Sequence, residues 1–150
     1  MITQTWQMID LIADRLEAQS GPLGIKYVGK YDEGIIPEYP AVVVLPGPRA
    51  KTLHATRTFQ VAFEIEMYVY HANLTLTKRE RSKADLQLVS RVEAEMETDY
   101  RWVDPDNGEA SVIHGYISQE NPGLLQPKAR KSRVIICTRM TWIAISQRRF

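Results

Sequence analysis

The stretch that decides the fold is TFQVAFEIEMYVYH, residues 58–71. Large apolar side chains occupy every second position from Phe59 to Val69, and the positions between them are polar, small or tyrosine. Since successive side chains of a β-strand point to opposite faces, this alternation predicts one long strand. One face is expected to lie in the core. The other, which carries Tyr68 and Tyr70, is expected to contact water or a partner, with the alternative that the two tyrosines simply cover the sheet face.

Two helices are predicted, one on each side of this strand along the chain. The first has apolar residues at three- and four-residue spacing, namely Trp6, Ile9, Ile12, Ala13 and Leu16. The second, residues 78–98, has the apolar stripe Ala84, Leu88, Val89, Val92 and Met96. Such stripes are typical of helices that pack by one face. We therefore expect Trp6 to anchor the first helix to a sheet.

The remaining strands are short or depend on less regular patterns. They are predicted at residues 25–28, 41–45, 111–118 and 133–146, with loops at residues 31–39, 49–57 and 119–132. Turn formers separate these segments, and β-branched residues fill them. The order of elements predicts an α+β fold with a single mostly antiparallel or mixed sheet and two helices packed on one face. We expect residues 1–150 to form a single domain.

Composition excludes several classes of protein. Hydrophobic residues make up 44% and charged residues 25%, as in ordinary globular proteins. Apolar runs stay far below the roughly 20 residues that span a bilayer, and no secretory signal is recognised, so an intracellular protein without a membrane partner is expected. Residues 121–150 hold seven Lys and Arg and no Asp or Glu, whereas residues 1–120 hold 12 basic and 18 acidic residues. The two parts are expected to meet different surfaces.

No catalytic constellation is found in the sequence. His54, His71 and His114 lie far apart, without the spacing of a metal site, and Cys137 is the only cysteine. Cys137 sits in an apolar strand, where a small buried side chain is expected. Neither a glycine-rich phosphate loop nor a nucleophile elbow is present. The sequence therefore predicts no catalytic residues, no metal and no cofactor, and the chain is expected not to be an enzyme.

The second helix carries its charges against its dipole. Lys78, Arg79, Arg81 and Lys83 are near its positive start, and Glu93, Glu95, Glu97 and Asp99 are near its negative end. Each misplaced exposed charge costs about 0.3–1 kcal/mol, a cost that solvent screening can make tolerable. The alternative is a head-to-tail contact in which the basic end of one copy meets the acidic end of the next. The candidate residues for this contact are Arg79, Arg81, Glu93 and Glu95.

A second cluster of charge lies in the loop before the last strand. Lys128, Arg130, Lys131 and Arg133 are close enough in sequence to bind phosphates, but no sequence-reading nucleic-acid motif accompanies them. Contact with nucleic acid of any sequence and docking on an acidic protein surface both remain open.

The order of elements resembles the tail-terminator, or tail-completion, proteins of long-tailed bacteriophages. The resemblance rests on the segment YPAVVVLP at residues 39–46, the strand at 59–69 and the helix at 78–98, and it covers nearly the whole chain. It implies a tail-terminator-like structural protein that assembles as a homohexameric ring. In that family the ring caps the tail tube, ends polymerisation of the tube protein and docks the tail to head-completion or neck proteins.

The same resemblance implies a place and partners for the chain. The protein would be assembled in the host cytoplasm and located in the virion tail at the head-tail junction, where DNA passes through the ring without sequence specificity. Lys128, Arg130, Lys131 and Arg133 would contact the tube or face the DNA channel. The charged ends of the second helix would join neighbouring subunits. The alternatives are a head-completion or neck-stopper protein and, in another class, a non-specific nucleic-acid-binding protein.

Overall fold

The computed structural model describes residues 4–32, 34–55, 58–72, 78–98, 114–125 and 135–149. These residues form helices and strands in the order α1 (Thr5–Ala18), α2 (Ser20–Leu23), β1 (Tyr27–Lys30), β2 (Ala41–Ala55), β3 (Thr58–Ala72), α3 (Lys78–Thr98), β4 (His114–Leu125) and β5 (Ile135–Arg149). The strands join into one five-stranded mixed sheet on which helices pack. The expected α+β class is confirmed.

β3 lies at the centre of the sheet, whose strand order is β1-β2-β3-β5-β4. It pairs antiparallel with β2 on one side and with β5 on the other. The β3–β5 register continues through all 15 residues of β3, from Thr58 opposite Arg149 to Ala72 opposite Ile135. β4 is antiparallel to β5, and β1 is parallel to β2. The long strand predicted from the alternating stretch is confirmed.

The main core lies between one face of the sheet and the helices. β3 contributes Val61, Phe63, Ile65, Met67 and Val69, all at most 1% exposed. The helices contribute Met8, Ile9, Ile12 and Leu16 of α1 and Leu88, Val89, Val92 and Met96 of α3. Burying one such side chain fully stabilises the fold by about 1.5–3 kcal/mol. Apart from Trp6 and Ala84, the two predicted apolar stripes therefore lie in the core on the same face of the sheet, and α3 has the boundaries predicted for it.

Trp142 of β5 is the largest fully buried side chain, and a glycine leaves room for it. A Cβ atom at Gly115 of β4 would lie 2.7 Å from Cζ2 of the indole, closer than real Cβ contacts come. Because Trp142 is fully buried in the main core, where side chains are densely packed, it cannot move away without cost.

Gly115→Ala is expected to lower the free energy of unfolding by about 1–3 kcal/mol, since the added methyl group overpacks the contact with Trp142. Urea unfolding monitored by circular dichroism measures the change. The matched control is Gly21→Ala in α2, because nothing lies within 4 Å of a Cβ atom at Gly21. Equal stability of the two variants would contradict this packing argument.

The opposite face of the sheet carries a smaller apolar cluster. It consists of Ala41, Val43, Tyr70 and Cys137, against which Ile36 and Tyr39 of the segment before β2 are packed. Tyr68 and Tyr70 stack with ring centroids 6.3 Å apart. Both tyrosines lie on the face predicted for them, but Tyr70 is only 3% exposed, so it covers the sheet itself.

Two predicted loops are wrong in part, because strand pairing continues through them. β2 extends to Ala55 through most of the loop predicted at residues 49–57, paired with β3. β4 extends to Leu125, into the loop predicted at residues 119–132. In β2 the register shifts between Pro46 and Arg49, and such a bulge accommodates proline in a strand. Pairing with a long neighbouring strand overrides the weak strand propensity of these segments.

Other boundaries and one core assignment also differ from the predictions. β1 begins and ends two residues later than predicted, and β5 ends three residues later than predicted, while the predicted start of β5 at residue 133 lies outside the described residues. Trp6, expected to anchor α1 to the sheet, is 58% exposed, and Met8 is buried instead. Helical periodicity fixes the direction of a side chain but not how far along the helix the sheet extends. The expected role of Trp6 is therefore corrected.

Candidate interaction surfaces

Half of the residues predicted for contacts can be placed. Lys128, Arg130, Lys131 and Arg133 lie outside the described residues. Arg79, Arg81, Glu93 and Glu95 all lie on α3. Arg79 is exposed, whereas Glu93 and Glu95 are half-buried. Twelve residues of helix, or about 18 Å, separate Arg81 from Glu93, so the two signs of charge stay apart within one subunit.

The acidic end of α3 is attached to the first two helices. Nε of Arg15 in α1 donates to Oε1 of Glu95 at 3.1 Å, with both side chains about one-fifth exposed. Nε of Arg91 donates to the carbonyl oxygen of Leu23 in α2 at 3.2 Å. Glu95 therefore has a partner within the chain, and the position of α3 relative to α1 is fixed by charge as well as by packing.

A cleft lies between this end of α3 and β4. It has a volume of about 270 Å³ and is lined by Glu93 of α3 and by Ile117, Ser118, Gln119 and Glu120 of β4. Glu97 holds one wall in place, because its Oε1 accepts a hydrogen bond of 3.0 Å from the backbone N–H of Ile117. We call this cleft, with its carboxylates Glu93 and Glu120, the acidic cleft.

The two carboxyl groups of the acidic cleft are close enough to share a proton. A hydrogen bond with Glu93, burial, and the charges of Glu93 and Glu97 together raise the pKa of Glu120 to about 7. A neighbouring like charge and burial both disfavour the ionised form of Glu120. Near neutral pH Glu120 is therefore only partly ionised, and no basic side chain among the lining residues of the cleft offsets the carboxylates.

The raised pKa of Glu120 predicts a pH-dependent stability. The folded chain binds the proton on Glu120 more tightly than the unfolded chain does. The stabilisation that this proton gives to the folded chain is fully present below about pH 4.5 and is lost as the pH rises through about 7. Relative to Glu120→Gln, wild-type protein should lose about 1 kcal/mol of unfolding free energy over that interval, after allowance for solvent screening. Urea titrations from pH 4.5 to 8 measure the difference. The control is Glu64→Gln on the exposed opposite face, and identical pH profiles for wild type and Glu120→Gln would contradict the assignment.

A second group of polar residues is buried between α3 and the sheet. Asp85 is 1% exposed, and its Oδ2 accepts a hydrogen bond of 2.7 Å from Oγ1 of Thr138. Among the described residues, neither Oδ1 of Asp85 nor Nδ1 of His71 has a hydrogen-bond partner. Burial raises the pKa of Asp85 and lowers the pKa of His71, while their mutual attraction opposes both shifts.

Thr138→Val is expected to destabilise the fold by about 1–3 kcal/mol, because it removes the donor that Asp85 has in this buried site. Thr138→Ser keeps the hydroxyl group and should retain most of the stability. Thermal unfolding of the two variants distinguishes the contribution of the hydrogen bond to stability from that of the methyl group. If valine is tolerated as well as serine, the bond between Thr138 and Asp85 does not stabilise α3 on the sheet.

Basic residues gather where β2, β3 and β5 extend together. We define the basic arm as residues 49–55, 58–62 and 145–149, which hold four Lys and Arg and no Asp or Glu. Arg49 and Lys51 are exposed in β2, and the register places Arg148 and Arg149 of β5 opposite Phe59 and Thr58. The Lys51 ammonium lies 4.3 Å from the ring centroid of Phe59. These residues come from distant parts of the sequence, and strand pairing through β3 brings their backbone positions to the same end of the sheet.

An exposed aromatic group lies at the start of α1. Trp6 is 58% and Tyr31 is 44% exposed. The Tyr31 hydroxyl donates to the Trp6 carbonyl oxygen at 3.3 Å and also contacts the Asp10 carboxylate, to which Lys30 Nζ donates at 3.0 Å. Tyr31 has a positive φ of 70°, which is uncommon outside glycine. The contacts to Asp10 and Trp6 hold it there.

Glu120, Asp85 and the basic arm were not among the candidate residues chosen from the sequence. Asp85 interrupts the stripe of α3 beside Leu88 and Val89, and a carboxylate at a core-facing position was a signal that could have been used. The proximity of Glu120 to Glu93 depends on long-range contacts between α3 and β4, which sequence spacing does not contain.

Comparisons with known proteins do not assign the chain to a class. Neither a protein family nor a curated protein matches its sequence. Within the described residues, no three His, Cys, Asp or Glu side chains are grouped so as to hold a metal ion. In the same part of the chain, every helix is too short or too polar to cross a membrane.

Proposed function

We propose that this chain is the tail-terminator protein of a long-tailed bacteriophage. Copies of it form a ring, a homohexamer in our proposal, that caps the tail tube, ends polymerisation of the tube protein and docks the tail to the head-completion or neck proteins. It acts by binding and not by catalysis. Its place is the head-tail junction of the virion, where DNA passes through the ring without sequence specificity.

The observation that carries this proposal is the separation of opposite charges on one small subunit. The acidic cleft lies beside one end of α3, and the basic arm lies at the far ends of β2 and β5. A subunit with complementary surfaces at different places can bind its own copies head to tail, and such contacts close into a ring when the rotation between copies permits. The resemblance to tail terminators, which covers the order of helices and strands, supports the same proposal.

Roles are proposed for the charged residues that were chosen from the sequence. Glu93 and Glu95 at one end of α3, and Arg79 and Arg81 at the other, are proposed to contribute to contacts between subunits. Because Glu95 is bound to Arg15 within the chain, Glu93 is the more available of the two glutamates. Lys128, Arg130, Lys131 and Arg133 are proposed to contact the tube or the DNA channel.

The decisive experiment is the mass of the protein in solution, measured by light scattering with and without purified tube protein. Six times the subunit mass, together with rings in negative-stain micrographs, is the expected result. Added to polymerising tube protein, the chain should also limit tube length. A chain that stays monomeric even in the presence of tube protein would exclude a tail terminator. A ring that binds neck protein but leaves tube growth unaffected would favour the neck-stopper alternative.

A second candidate function is binding of nucleic acid without sequence specificity. The observation that favours it is the basic arm, which presents Arg49 and Lys51 on an exposed strand. This function predicts that the isolated monomer binds duplex DNA with an affinity that falls steeply with salt. Fluorescence anisotropy of a labelled duplex between low and physiological ionic strength separates the two functions, since a tail terminator needs no such affinity as a monomer.

A further inference from the structure

We infer that the basic arm of one copy docks against the acidic cleft of a second copy, with Arg49 and Lys51 facing Glu93 and Glu120. This inference rests on the proposed function, because it specifies which surfaces of neighbouring subunits meet. The binding partner of the basic arm is a second copy of this chain, which the arm recognises through opposite charge.

The acidic side of the contact consists of the two glutamates at this end of α3 and in β4 that do not hold another helix or strand in place. Glu95 is bound to Arg15, and Glu97 holds the backbone of Ile117. Glu93 and Glu120 remain, and they line an open cleft in which the Glu93 carboxylate disfavours the ionisation of Glu120. A guanidinium or ammonium group entering the cleft would replace that repulsion by attraction. A cleft of about 270 Å³ suits the end of one or two long side chains and not a whole strand.

The basic arm presents long, positively charged side chains on paired strands. Arg49 and Lys51 are two residues apart in β2, opposite Phe63 and Val61 of β3. Residues 49–53 are all exposed. In the described part of the chain, β1 pairs with β2 only at residues 41–44, so no strand covers the outer edge of the arm. Three paired strands hold these charges in place, which lowers the entropy cost of docking.

The two surfaces cannot neutralise each other within one subunit. Glu120 lies opposite Met140, and Arg148 is eight residues further along β5, which is about 26 Å in an antiparallel strand. Arg49 and Lys51 lie still further across the sheet, on β2. Exposed charges separated by more than about 8 Å are largely screened at physiological ionic strength. The attraction is therefore available only between copies.

The basic arm fits the cleft better than the basic end of α3 does. The first turn of α3 contains Glu80 among its basic residues, whereas the arm has no acidic residue. The arm also exposes Leu53, which is 64% accessible and can be buried on docking. Nucleic acid would occupy the arm but leave the cleft unmatched, so a second copy accounts for both surfaces.

Charge exchange between two variants tests the inference. Arg49→Glu/Lys51→Glu reverses the arm, and Glu93→Lys/Glu120→Lys reverses the cleft. Alone, each variant should self-associate at least about tenfold more weakly than wild type in sedimentation velocity, because like charges then face each other. Mixed in equal amounts, the two variants should assemble again, since each arm then meets a cleft of opposite sign. Circular dichroism establishes that both variants are folded.

The matched control is Arg79→Glu/Arg81→Glu, which makes the same change of charge at the start of α3. Mixed with Glu93→Lys/Glu120→Lys, it should not restore assembly. If it does restore assembly, the start of α3 and not the basic arm meets the acidic cleft.

Three outcomes separate the inference from the proposed function. If both charge-reversed variants form rings as readily as wild type does, the inference is overturned and the proposed function stays intact. Assembly that follows the charge exchange in a protein that never limits tube growth would support the inference and overturn the proposed function. Loss of DNA binding in the arm variant with unchanged self-association would assign the arm to nucleic acid and overturn the inference.

Discussion

The long antiparallel pairing of β3 with β5 holds this subunit together. It continues without a register shift from Thr58 to Ala72 and fixes which side chains of both strands face the helices. A slip of one residue would move the whole apolar set of β3 to the opposite face. Because β2 and β4 are added at the outer edges of this pair, the positions of the acidic cleft and the basic arm are consequences of the same register.

Local signals in the sequence predicted the elements that are themselves locally determined. The alternation in β3 and the apolar stripe of α3 gave both elements, and α3 has its predicted boundaries. The distal half of β2 and residues 119–125 of β4 were missed, because proline, glycine and basic residues form strands there only beside a longer strand. Trp6 was misplaced for a related reason: its angle on the helix was visible in the sequence, but the extent of the sheet beneath it was not.

Charge shows the same division between local and long-range information. The sequence reveals an excess of glutamate at the end of α3, but not how those residues are used. Glu95 binds Arg15 of α1, and Glu97 accepts a hydrogen bond from the backbone of β4, so both residues stabilise the subunit itself. Glu93 is distinguished from them only by its neighbour Glu120, which comes from another element. A charge count therefore identifies a surface, while the folded structure separates the charges that stabilise the subunit from those left for a partner.

The assembly proposed for this chain follows from the stiffness of β5. One stretch of β5 pairs with β4 at the acidic cleft, and its last residues belong to the basic arm. A continuous paired strand of this kind fixes the direction of the arm relative to the cleft, so the angle between successive copies is a property of the subunit. Head-to-tail contacts with a fixed angle close into a ring when the rotation allows and form a helix otherwise. In this proposal the number of copies is set by strand geometry, and the charges supply register and rate of association.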